Sequence, residues 1–134
     1  MTNLATRDAV KALVAALQSD TALGAFTITD RPARPSALPH IRVGPVSEEP
    51  WSTGTSNGAK LSVSLALTSR SGSFSLLVDA ADAIAALLET PLTITAATSV
   101  VQRLTTTRFA HEPSGNLERA TLSVALLIDL GDAP

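Results

Sequence analysis

Residues 54–58, Gly54-Thr55-Ser56-Asn57-Gly58, spell G-x-S-x-G, the pattern that in serine hydrolases lifts a nucleophilic hydroxyl on a sharp strand-to-helix turn. That chemistry needs a base beside the serine, and the chain offers only His40 and His111. It also needs a helix after the serine, whereas an alternating apolar segment begins at Leu61. Ser56 is therefore expected in a hairpin tip. A metal centre needs three or four converging ligands. His40 at a strand start and His111 beside Glu112 near a turn do not have that spacing, and a chain without cysteine has no thiolate ligand, disulfide or Cys nucleophile. Asp79 and Asp82 share a helix face at i, i+3 but lie opposite its apolar stripe, so they read as a solvated or subunit-facing surface. Neither Lys11 nor Lys60 has the glycine spacing of a phosphate loop. The residues predict no enzyme, no cofactor and no metal.

The polar stretch from Val46 to Lys60 holds the remaining candidates. Trp51, the only tryptophan, stands beside Glu48, Glu49 and Pro50. Its ring can fold back over the edge of the core, or it can anchor a partner, since tryptophan is favoured at binding hot spots. Rich in Ser, Thr and Gly and closed by Asn57-Gly58, the stretch predicts a long mobile hairpin or loop. The residues singled out as a candidate contact with partner subunits are Val46, Glu48, Glu49, Trp51, Thr53, Thr55, Asn57 and Lys60.

The elements that position this stretch are legible from periodicity. Val10, Leu13, Val14 and Leu17 fall at i, i+3, i+4 and i+7 of an amphipathic helix from Ala5 to Ser19, which Asp20, Thr21 and Gly24 break. Phe26 to Thr29 can form a short strand, and Pro32, Pro35 and Pro39 make an irregular connector. His40-Ile41-Arg42-Val43 alternates as a strand until Gly44-Pro45 interrupts the ladder. Leu61, Val63, Leu65 and Leu67 give the cleanest strand, with one face in the core. Ser71-Gly72-Ser73 supplies capping chemistry for a second helix, Ser73 to Glu89. Its stripe is Phe74, Leu77, Val78, Ala81, Ile84, Ala85 and Leu88, and Pro91 ends it. Leu92 to Thr95 and Val100 to Phe109 are strand-like. A turn at Glu112 to Asn116 then leads to a closing strand, Leu117 to Asp129, with Ala120, Leu122, Val124, Leu126 and Ile128 on one side. Helix, hairpin, helix, hairpin describes an α+β fold, a mostly antiparallel sheet packed by two amphipathic helices in a single domain spanning 1–134.

With 134 residues, one core is expected. Hydrophobic residues make up 45% of the chain but aromatics only 3%, so that core is built from Ala, Val, Leu and Ile, and partner subunits can supply further burial. Ten Lys+Arg against twelve Asp+Glu leave a net charge of −2. The basic residues are scattered in sequence, which argues against a dedicated nucleic-acid binder with a concentrated positive face. The first residues lack a signal-peptide pattern and no run reaches membrane-span length, so a protein made in the cytoplasm, without a membrane partner, is expected.

Taken along the chain, the leading helix, Ala37-Leu38-Pro39-His40-Ile41-Arg42-Val43-Gly44, the polar stretch with Trp51, strand 61–67, helix 73–89, Val100-Val101-Gln102-Arg103-Leu104 and the closing strand resemble the tail terminator, or tail completion, proteins of long-tailed phages and gene transfer agents. The resemblance implies a structural virion protein of the tail or neck. Its copies would form a hexameric ring on the head-proximal end of the tail tube, stop tube polymerisation and join the tail to the head connector protein. Its partners would be itself, the tail tube protein and that connector. DNA would pass through the lumen without specific binding, and weak net charge suits such a lumen. Another head–tail neck or completion protein is the nearest alternative, and a small ligand-binding α+β domain with a cleft around His40, Trp51 and His111 is the alternative from another class.

Overall fold

The computed structural model describes residues 2–29, 38–52, 56–70, 72, 74–90, 92, 98–113 and 116–132. Helix α1, Thr2–Ser19, runs into a single 3-10 turn, Thr21–Leu23. Asp20 caps that turn, its carboxylate accepting from the backbone N–H of Ala22 at 2.9 Å. Strand β1 is only Thr27–Thr29, followed by β2, His40–Ser52, and β3, Ser56–Arg70. Helix α2, Phe74–Leu87, crosses to the second hairpin, β4, Thr98–Glu112, and β5, Leu117–Asp132. The strands lie in the order β1-β2-β3-β5-β4. All pairs are antiparallel except β1–β2, which is parallel and can be so because the connector between them is long.

Both helices cover the same face of this sheet. Period-two alternation places Leu61, Val63, Leu65 and Leu67 of β3 beside Leu122, Val124, Leu126 and Ile128 of β5, all buried. Ala9, Leu13 and Leu17 of α1 and Leu77, Ala80, Ala81 and Ile84 of α2 close over them in one contiguous cluster. Ala80 and Ala81 are small side chains on the buried side of α2 and pack in the same cluster as the leucines of the sheet.

The expected order of elements holds, with local differences. The stretch expected as a long mobile hairpin or loop is a hairpin, with its arms paired in the single chain: Val46, Glu48, Glu49 and Trp51 belong to β2, and Asn57 and Lys60 to β3, with the ladder running to Ser52↔Asn57. Thr53 and Thr55 lie outside the described residues. Periodicity missed the arm because its small and polar residues show no apolar alternation, whereas its β3 half is held on both sides, by β2 and by β5. Gly44-Pro45 does interrupt the ladder, as a register shift between Val43 and Val46, and Gly44 has the positive φ of 120° that a residue with a side chain rarely adopts. In α2, Ala80 replaces Ala85 in the buried stripe and Phe74 is 52% exposed. The proposed cap residues Ser71 and Ser73, Pro91, and the strand-like residues 93–95 lie outside the described residues. Asn116, at φ 53°, makes the expected turn into β5.

Candidate functional site

The candidate catalytic groups do not converge. His40 is buried at the start of β2, its Nε2 2.8 Å from the Thr29 hydroxyl. Burial holds its pKa below the ordinary histidine value, and the nearby Arg42 guanidinium lowers it further. His111 is exposed on β4, its Nδ1 2.7 Å from Glu118 of β5. Two strands, β3 and β5, separate β2 from β4, and Trp51 stands at the opposite end of β2 from His40. These strand positions keep apart the three residues of the alternative cleft reading. Ser56 opens a strand rather than a strand-to-helix turn, which removes the local geometry a nucleophile elbow needs. Among the described residues no group of three His, Asp or Glu could hold a metal ion, and no helix is long and apolar enough to cross a membrane. Asp79 and Asp82 are exposed on the outer side of α2.

Besides an open groove of about 490 Å³ between α1 and the end of α2, lined by Ala12, Ala15, Ala16, Leu87 and Leu92, the elements build two surfaces. The first is a pair of unlike sheet edges. Short β1 covers only His40 to Arg42 of β2, so the outer edge of β2 from Val46 to Ser52 has no partner strand among the described residues. At the far side, β4 has no outer partner strand among the described residues. Pro45 and Pro50 remove donors from the β2 edge, whereas β4 has no proline. Val101, 38% exposed, lies on β4.

The second surface is the sheet face opposite the helices, and sequence order hid its character. Rows read across β2, β3, β5 and β4 are Glu49–Lys60–Leu127–Val101, then Ser47–Ser62–Ala125–Arg103, and further along Arg42–Ala66–Thr121–Arg108. Arg119 and Arg70 take the same parity, so six of the ten Lys+Arg (Arg42, Lys60, Arg70, Arg103, Arg108 and Arg119) meet on this face. Described acidic side chains there are Glu49, Asp129 and Glu112, the last paired with Arg119. The scatter of basic residues along the chain is thus a concentration in space, a correction to the expectation of no positive face. Its cause is strand parity, which sends residues far apart in sequence to one side.

Gln102 is a structural residue that motif reading passed over. It sits on the helix side of β4, and its side-chain amide donates to the carbonyls of Leu88 at 3.0 Å and Thr90 at 2.8 Å, while its oxygen accepts from Leu92 N–H at 2.6 Å. One side chain thereby ties the end of α2 to the sheet.

Comparison with known proteins finds both a family and solved structures of similar fold. A family model described as tail completion protein gp17 matches residues 11–129. In the structure titled "Virion of native gene transfer agent (GTA) particle", one chain shares this fold with a TM-score of 0.81 and 17% identity, over 93% of this chain and 97% of that one. No curated protein matches.

Proposed function

Because the chain belongs to the tail completion protein gp17 family, a family of tail structural proteins, we propose that its copies close into a ring, hexameric, at the head-proximal end of a phage-like tail tube. The ring ends tube polymerisation and presents its other side to the head connector. The observation that carries this reading is the family match across nearly the whole chain. The sheet supplies a physical route: the β2 and β4 edges are unlike, and contacts between unlike surfaces of neighbouring copies are the heterologous kind from which rings close. In this reading the whole chain acts as one domain without catalysis, and it is a virion component assembled in the host cytoplasm. The arm carrying Val46, Glu48, Glu49, Trp51, Thr53, Thr55, Asn57 and Lys60 contacts the neighbouring copy or the tube. The chain's fold likeness to a component of a gene transfer agent virion is consistent with that place in a particle.

The test has two arms. Sedimentation of the purified protein across a concentration series should show a species of six subunit masses, and particles assembled without the protein should carry tails of uncontrolled length. A strictly monomeric protein whose loss leaves tail length unchanged would overturn the reading.

A further inference from the structure

The helix-free face of the sheet bears three arginines that its own acids do not balance. Lys60 faces Glu49 across the β2–β3 ladder, and Arg119 pairs with Glu112. Arg42, Arg103 and Arg108, all exposed, have Ala66, Ala125 and Thr121 as their row neighbours, and among the described residues no ion pair engages them. Arg42 and Arg108 stand three strands apart in one row, about 14 Å at the ordinary strand spacing. Arg103 and Arg108 are two rows apart along β4, again about 14 Å. Between them the central strands present short hydroxyl and methyl side chains, Ser62, Ser64, Thr121 and Ser123, which keep the face flat and let the long cations stand above it.

We propose that this face is a sequence-independent contact surface for the phosphates of double-stranded DNA, with Arg42, Arg103 and Arg108 as its principal cations. The composition favours nucleic acid over a second protein surface. Protein interfaces concentrate aromatic and apolar residues at their centre and are depleted of serine, whereas this centre is serine, threonine and alanine. Phosphate-binding surfaces combine Arg and Lys with hydroxyl donors. Duplex is the occupant that the spacing fits: a flat face with cations about 14 Å apart and short hydroxyl side chains between them suits the regular phosphate rows of a rigid double helix. No residue pattern offers base readout, so the contact holds the backbone only. The inference goes beyond the ring reading and does not require it: the face exists in each subunit, and a ring that turns it toward the axis would repeat it around a passing duplex.

Fluorescence anisotropy of a labelled duplex, titrated with the full chain, tests the proposal. Neutralising three to four phosphates gives a slope of log affinity against log salt of about −2.7 to −3.6, so affinity should fall about 40- to 150-fold between about 50 and 200 mM salt. Arg103→Ala with Arg108→Ala should flatten that slope by about 1.8, the Arg→Lys pair should keep it, and Lys11→Ala on the helix side should leave it unchanged. The Arg→Lys pair also separates lost charge from lost folding. Absence of binding at about 50 mM salt, or an unchanged slope in the double alanine variant, would overturn the proposal. So would a charge-reversed pair, Arg103→Glu with Arg108→Glu, that changes the sedimenting mass but not duplex affinity, since the face would then be a contact between copies. Rings that leave the duplex free would sink this inference and spare the ring reading; monomers that bind it would do the reverse.

Discussion

The side-chain amide of Gln102 on β4 donates to the Leu88 carbonyl at 3.0 Å, across the gap between the sheet and the end of α2. With its further bonds to Thr90 and Leu92 it satisfies two carbonyls and one N–H of the segment that follows α2. Leucine at 102 fills similar space but neither donates nor accepts, so Gln102→Leu should cost about 1–3 kcal/mol by denaturant unfolding. Gln102→Glu should cost more, because a carboxylate facing two carbonyls repels them. Hydrogen exchange should speed at Leu92 in Gln102→Leu, whereas a glutamate at 102 can still accept from that N–H; equal protection in the leucine variant would show that the bond carries no weight.

Leu65 lies midway along β3, wholly buried between Val43 of β2 and Leu122 of β5. Its neighbour Ser64 points to the opposite, helix-free face. Leu65→Ala should destabilise by about 2–5 kcal/mol, the loss of a buried side chain plus its cavity. Ser64→Ala should change stability by no more than about 0.5 kcal/mol. Comparable losses at the two sites would contradict a sheet covered on one side alone.

His40 gives stability a pH dependence of fixed sign. Burial first, and Arg42 second, lower its folded pKa from 6.5, so between that lowered value and 6.5 the unfolded chain binds more protons. Stability should therefore be level above about pH 6.5 as far as this group is concerned and fall as the pH drops toward the folded value. His40→Gln, which keeps a polar group near the Thr29 hydroxyl, should flatten that part of the curve. Chemical denaturation at a series of pH values measures both, and an identical slope in the variant would remove His40 as the cause.

Much of this fold was legible because its strongest signals are apolar periods. Leu13 and Leu17, Leu61 to Leu67, and Leu122 to Ile128 each sit where their spacing puts them. The hairpin at 46–60 was legible only as a hairpin or loop and the length of its paired strands was not, since Ser56 to Lys60 is polar or small on both faces and its strand character comes from two flanking strands, not from its own pattern. The basic face was illegible for a different reason. Arg42 and Arg108 are separated by 66 positions in the sequence yet share one row, and only the order β2-β3-β5-β4 brings them together. Charge counted along a chain carries no information about a sheet face until the strand order is known. Gln102 was likewise invisible, because its partners are backbone groups whose positions depend on where α2 ends.

Val101 offers the sharpest separation of folding from assembly. It is a large apolar side chain, 38% exposed, on the edge strand β4, with Leu127 as its neighbour toward the centre of the sheet. Exposed apolar edges invite pairing with another chain, and a lysine there is a common guard against it. If neighbouring copies meet along β4, Val101→Lys should shift the sedimenting species from ring to monomer, because the ammonium must be desolvated in the contact without a partner. The same change should move the subunit's unfolding free energy by no more than about 0.5 kcal/mol, since the site is at the surface. Rings of unchanged mass in Val101→Lys would place the contact between copies elsewhere than this end of β4.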